Sequence, residues 1–316
     1  MNNENKAGKE FRTSIGGQAL IEGIMMRGPK KQAVVVRTKD GFVEKTEEYK
    51  LLKDRYPIVG FVFIRGVVNL VNSMTAGVRA LMFSADHMPE EDIEEPTKFD
   101  LWLEKKFGSE KAEKVIIAFA VVFGIAFSVG LFILLPTFLA GFLANYIDNR
   151  ILRNLMEGVV RITIFLLYIW LTSRMGQIKR VWGYHGAEHK AIYCYEKSLP
   201  LTVENVKVQS RLHPRCGTSF LFIVMIVSIL VFSFTSWDNL WIRIILRLLL
   251  LPVVVAISYE IIRFAGRHDN VLTRIVSAPG KALQRLTTRE PDDGMIETAI
   301  EAMKLVMPED AEEAKW

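Results

Sequence analysis

The chain has 316 residues, half of them hydrophobic, and its 40 Lys and Arg against 35 Asp and Glu leave a net charge of +5. The basic residues flank apolar segments and form no aromatic-rich stripe, which argues against nucleic acid as a partner and for a lipid bilayer. The only cysteines are Cys194 and Cys216, too few for a disulfide framework, so a reducing compartment is expected.

The mean hydropathy of +0.22 is within reach of a soluble domain, so distribution matters more than the average. Residues 1–56 read as a soluble region with a hairpin: Ala33–Val36 is β-branched, Lys39-Asp40-Gly41 signals a turn, and Phe42–Thr46 returns. Upstream, Gly16-Gly17-Gln18-Ala19-Leu20-Ile21-Glu22-Gly23 implies tight backbone but fits neither phosphate-binding glycine pattern. The first 20 residues, with Lys6, Lys9 and Arg12 and no apolar run behind them, do not read as a signal peptide.

Residues 57–84 are long enough to span a bilayer. However, Arg65, Asn69, Asn72, Ala76 and Arg79 share one helical face, which predicts an amphipathic helix lying on the membrane or against the bundle. An acidic linker with a helix follows over 85–113, its acids within Pro89–Pro96.

Four membrane helices are predicted. Val115 to Ile147 holds no charged residue, and Pro136 is expected to end or kink the first span near Leu135. The second, Ile151–Thr172, carries Arg153, Glu157 and Arg161 in one stripe at i, i+4 and i+8. The third is Thr218–Trp237, and the fourth, Leu240–Phe264, has Arg243 and Arg247 near its start. These arginines are expected to face protein, with Glu157, Asp148 or Asp238 as candidate partners, or to snorkel to the headgroups. Lys and Arg crowd before the first span, within 174–215 and within 263–289, whereas the other connections are poor in them. The positive-inside rule then places both termini and the 175–217 loop in the cytoplasm. The fold class is therefore mainly α. It is an integral membrane bundle of about four helices in segments 114–174 and 218–264, with a small β-containing N-terminal region, a helical cytoplasmic loop and a cytoplasmic tail over 265–316.

That loop carries the chemistry. His185 and His189 lie at i, i+4 of a predicted helix, the spacing at which one face offers two imidazoles to one ion. Glu188 completes H-x-x-E-H, in which the Glu is the general base of inverted zinc proteases. Glu196 falls on the same face as a further ligand or a hydrogen-bond acceptor. His213-Pro214-Arg215-Cys216 adds an imidazole on extended chain and a thiol just before a helix. The hairpin of the third and fourth spans brings Glu260 to the depth of Gly217, as a ligand or as a partner of Arg215 or Arg263. The candidate set for a divalent metal, Zn2+ first, is His185, His189, His213, Cys216 and Glu260, with Glu188 catalytic. Cys194, in a Tyr-rich apolar stretch, is read as packing.

Gly16 to Pro29, Tyr184–Lys190, His213–Ser219, Ser258-Tyr259-Glu260, Pro279-Gly280 and Leu286 to Pro291 together resemble the YqhQ-like family of bacterial multi-pass membrane proteins. The resemblance implies a metal-dependent enzyme of unassigned substrate and partners. Two functions follow: a metal-dependent hydrolase at the membrane boundary, or a non-catalytic scaffold or assembly factor stapled by a structural zinc or polar cluster. A transporter fits less well, because no paired broken helices suggest inverted repeats.

Overall fold

The computed structural model describes residues 11–49, 56–88, 105–106, 108–144, 146–147, 149–235, 239–268 and 270–315. The acidic stretch Pro89–Pro96 and the candidate partners Asp148 and Asp238 lie outside them. The chain divides into two compact units, one formed by Met1–Met88, Ile169–Val231 and Leu248–Trp316, the other by Pro89–Tyr168 and Phe232–Arg247.

The first unit is built on an antiparallel meander of β1 (Gly16–Leu20), β2 (Gly23–Arg27), β3 (Lys31–Thr38) and β4 (Gly41–Glu48), in that order. The hairpin expected around Lys39-Asp40 is β3–β4, with Val36 opposite Val43 and Thr38 opposite Gly41. Gly41 adopts φ 125°, which the residue after this tight turn needs. The glycine-rich motif left unassigned above supplies the other two strands. Leu20 and Gly23 close a two-residue turn in which Glu22 has φ 51°. That strained backbone is held from the side chain, because Arg180 forms an ion pair with Glu22 and Tyr184 Oη donates to Glu22 Oε2 at 3.1 Å.

Alternation along the strands gives the sheet two buried faces. Ile24, Met26, Ala33 and Val35 pack against α5 (Gly176–Glu196) and α10 (Asp293–Val306), which contribute Tyr184, Ala187, Ala191, Ile296, Ala299 and Met303. Leu20, Met25, Val34 and Val36 pack against Ala76, Ala80 and Phe83 of α1 (Val62–Ala85). Fully burying each Val, Ile, Leu or Met contributes about 1.5–3 kcal/mol, so the sheet and these helices stabilise one another. Residues 271–306, read from sequence as part of a tail, form α9 (Val271–Thr287) and α10. Asp292 caps α10 by accepting from Met295 N at 2.8 Å.

The polar face predicted on α1 points into the protein at Arg65 and Asn69, while Arg79 is exposed. Arg65 forms a two-pronged ion pair with Glu260, and Asn69 Nδ2 donates to Tyr259 Oη at 2.8 Å. Phe61, Val62, Phe63 and Ile64 are exposed at the start of the helix.

In the second unit, helix continues through Pro136. Helix α2 (Ser109–Val129) passes into a π-helical turn, Gly130–Leu134, and then α3 (Leu135–Ala144). The widened turn ahead of Pro136 takes up the missing amide and the ring, which would otherwise break the hydrogen-bond ladder. Helix α4 is Arg150–Thr172 and α8 is Leu240–Arg267. The polar stripe of α4 meets Arg247, as expected. Arg247 is 1% exposed and donates to Glu157 through both terminal nitrogens, with Arg247 Nη2 at 2.7 Å from Oε2. Arg161 Nη2 and Thr137 Oγ1 each donate to Glu157 Oε1 at 3.0 Å. Burying an arginine without a partner is costly, and the shared carboxylate offsets that cost.

Among the described residues, three helical stretches are long and apolar enough to cross a membrane: Val115–Phe142, Ile151–Thr172 and Leu240–Arg267. The fourth expected span, which follows the short helix α6 (Val203–Lys207) in the chain, is a shorter apolar helix, α7 (Gly217–Phe232), of 16 residues. That is about 24 Å of helix, against a hydrocarbon core of about 30 Å. Val122, Phe123, Phe138 and Phe142 are exposed, which is compatible with a lipid environment. The chain is thus mainly helical, with a small N-terminal antiparallel sheet.

Candidate metal centre

Helix α5 lies against the sheet and carries His185, Glu188 and His189, all buried. It approaches closely because two of its residues lack side chains. A Cβ on Gly183 would meet Met295 of α10, and one on Gly186 would collide with the Arg289 carbonyl. The chain after α9 therefore runs directly over α5, and Arg289 N donates to Trp182 O at 2.8 Å.

The two imidazoles are oriented alike. His185 Nδ1 donates to the Thr287 carbonyl at 2.8 Å, and His189 Nδ1 donates to the Arg211 carbonyl at 2.6 Å. A carbonyl only accepts, so in each ring Nδ1 holds a proton and Nε2 faces inward. Cys216 Sγ lies 3.1 Å from His185 Nε2. It stands at the N-terminus of α7, where Thr218 N points at it from 3.4 Å. The ligand atoms of His185, His189 and Cys216 all lie within 4.8 Å of one another.

His189 Nε2 is buried beside the Cys216 thiol and makes no hydrogen bond of normal geometry among the described residues. An orphaned buried lone pair normally costs about 1–3 kcal/mol, and a metal ion would satisfy it. Two imidazoles held through Nδ1 to carbonyls and a thiolate-forming cysteine are a donor set suited to zinc. His185, His189 and Cys216 therefore fit the metal that the sequence motif implies.

Electrostatics point the same way. Burial pushes the Cys216 thiol up, but the charges of His185 and His189 and the polar contacts of both rings with the thiol outweigh it and hold the group well below its ordinary value. Burial lowers His185, yet the Cys216 charge and hydrogen bond raise it to about 9. Glu188 is raised, chiefly by burial, against the lowering effect of the two histidines. Its Oε1 accepts from Gly17 N at 3.0 Å. A Cβ on Gly17 would crowd Glu188 and Met26, which explains one glycine of the N-terminal motif.

Two candidates stand apart from the trio. His213 lines the same cavity, but its Nε2 is directed at Glu196 Oε2, 3.6 Å away. Burial lowers it to about 4, so it is a neutral ring. Its main chain is clamped by Gln284, which accepts from His213 N and donates to His213 O, both at 2.7 Å. Glu196 is itself engaged by Arg215 and by Thr13 N, the latter at 2.8 Å. Glu260 is held by Arg65 and lines a separate apolar groove with Val62, Phe63 and Phe264. Arg65 of α1, which hairpin depth alone does not reveal, reaches this carboxylate. Cys194 packs in the core.

Sequence reasoning missed Thr287 and Arg211, whose carbonyls orient the histidines, and Gln284. Thr287 lies in a quoted motif, but a backbone acceptor leaves no side-chain signature. Arg211 also ties the layers together, donating to Thr288 Oγ1 at 2.7 Å. The trio, Glu188 and residues 14–19 line a cavity of about 550 Å³, in the size range of small-molecule and cofactor sites.

Fold and site together define a mainly helical protein with membrane-length helices and a buried His–His–Cys cluster opening on a cavity. The chain belongs to the family described as Protein of unknown function (DUF1385), whose model matches residues 61–309. It is 36% identical over 294 residues to the uncharacterized protein YqhQ of Bacillus subtilis (strain 168), an alignment covering 92% of this chain and 91% of that relative. The YqhQ-like resemblance read from the motifs is thereby borne out. No solved structure matches the chain.

Proposed function

We propose that the protein is a membrane-embedded, zinc-dependent hydrolase, with His185, His189 and Cys216 as ligands and Glu188 as general base. The observation that carries this reading is His189 Nε2, buried beside His185 Nε2 and Cys216 Sγ without a hydrogen bond of normal geometry and facing a cavity. When bound, zinc supplies Lewis acidity toward a scissile carbonyl or phosphoryl group. Glu188 takes a proton from water and returns it to the leaving group. Its raised affinity for protons, set mainly by burial, suits a base that must give the proton back. Gly17 N–H fixes which carboxylate oxygen stays free for the task.

A structural zinc in a scaffold favours a fourth protein ligand. The additional candidates, His213 and Glu260, are directed at Glu196 and Arg65, which supports an open position and hence catalysis. The chain purified in detergent without chelator should carry about one zinc per molecule by elemental analysis. Protein without stoichiometric metal would defeat the proposal.

The bundle is read as four spans with both termini and α5 in the cytoplasm, α7 serving as a short third span. The asymmetry of Lys and Arg supports this orientation. Reporter fusions after Lys6, Asn149, Ser198 and Glu309 should read inside, outside, inside, inside. An outside signal at Ser198 would refute it.

A further inference from the structure

We propose that β1 is a docking edge for an extended polypeptide, which pairs with its free side and lays a peptide bond beside Glu188. This names the substrate class for the zinc-hydrolase reading above and rests on that reading.

A four-stranded meander has two edges, here β1 and β4. Unpaired edges invite unwanted strand addition, and proteins guard them with charge. Strand β4, Gly-Phe-Val-Glu-Lys-Thr-Glu-Glu, is guarded in this way, while β1, Gly-Gly-Gln-Ala-Leu, carries no charge at all. The outer side of β1 is nevertheless set into the chemistry, since residues 14–19 line the cavity that holds His185, Glu188, His189 and Cys216.

The register fixes which groups face outward. Leu20 and Gly23 close the two-residue turn as a hydrogen-bonded pair, so the Gln18–Met25 and Gly16–Arg27 pairs are hydrogen-bonded as well. Gly17 and Ala19 then turn both amide and carbonyl away from β2. The bond from Gly17 N to Glu188 confirms the parity independently. Among the described residues nothing bonds to the Gly17 carbonyl or to either backbone group of Ala19. These acceptors and the donor recur at the strand repeat, as β-augmentation requires. Gly17 is exposed and residues 14–19 line the open cavity, so an incoming backbone has room.

The edge also ties binding to chemistry, because the strand that would hold the substrate is the one that holds Glu188 through Gly17. In the reaction, the oxygen of a water molecule bonds to the scissile carbonyl carbon. Its proton passes to Glu188 and then to the departing nitrogen as the C–N bond breaks. The products are a carboxylic acid and an amine, which the second water proton converts to carboxylate and ammonium, and no oxidant or reductant is consumed.

Pairing through main chain is tolerant of sequence, so the probe is a proteome-derived pool of peptides incubated with the full-length zinc-loaded chain in detergent, new termini being read by mass spectrometry. Cleavage is expected, and Ala19→Pro should lower it at least about tenfold with zinc content unchanged. Proline removes the outward N–H without touching the ladder to β2. A second readout covers failure of that variant to fold. In the Glu188→Gln chain, hydrogen exchange at the Ala19 amide should slow at least about tenfold when the pool is added. A zinc-bound chain that leaves the pool uncut, an Ala19→Pro chain that cuts at the normal rate, or Ala19 exchange indifferent to peptide would each overturn the proposal while sparing the metal reading. Loss of the metal reading itself would appear earlier, as a purified chain without zinc.

Discussion

Changing His185, His189 or Cys216 singly to alanine is expected to reduce bound zinc to less than about a tenth of the unaltered level. The trio offers one ligand atom from each residue, so each change removes a third of the protein's hold on the ion. His185 and His189 are locked toward the site by bonds to Thr287 O and Arg211 O. No neighbouring histidine can rotate into place at small cost, because His213 is anchored through its backbone to Gln284 and directed at Glu196. His213→Ala and Glu260→Ala should therefore keep the metal, which separates ligand loss from general disturbance of the fold. Elemental analysis of the five purified variants reads the result. Stoichiometric zinc in both single-histidine variants would refute the centre. Zinc lost from His213→Ala with the protein still folded would mean that His213 completes a closed tetrad, and the structural-zinc reading would then prevail.

How far the sequence reached depended on the kind of information each feature carries. The β3–β4 hairpin was legible because β-branched alternation and an Asp-Gly turn are local signals. The helical spacing of His185, Glu188 and His189 was legible for the same reason. The pairing of Arg247 with Glu157 was anticipated from polar stripes, because bare charge inside a spanning segment leaves few alternatives. Strands β1 and β2 were not legible. Gly16-Gly17 lowers strand propensity, and what holds β1 in place lies far along the chain, at Glu188 and Gln18's neighbour Gly77. Glu260 illustrates the opposite case. Depth along a hairpin placed it near Cys216, but depth says nothing about which side chain a carboxylate meets, and Arg65 of α1 engages it. The continuation of helix through Pro136 depends on a π turn that has no sequence signature of its own.

The substitution Glu188→Gln is expected to abolish the cellular function while leaving zinc content and membrane abundance within about a factor of two of the unaltered protein. Glutamine keeps the size of the side chain, and its carbonyl oxygen can still accept from Gly17 N. Burial makes the neutral amide easy to accommodate, since the same burial already disfavours the carboxylate. What the amide lacks is the capacity to take a proton from water, and loss of a positioned general base costs roughly 10²–10⁴-fold in rate. A structural centre predicts a different pattern: Glu188→Gln is nearly silent, whereas the ligand variants lose abundance through misfolding. If Glu188 were a ligand, zinc would fall along with function. Complementation of a deletion strain, protein level and bound zinc, read on the same variant, separate the three cases. Full function at normal abundance would refute the assignment of Glu188 as the base.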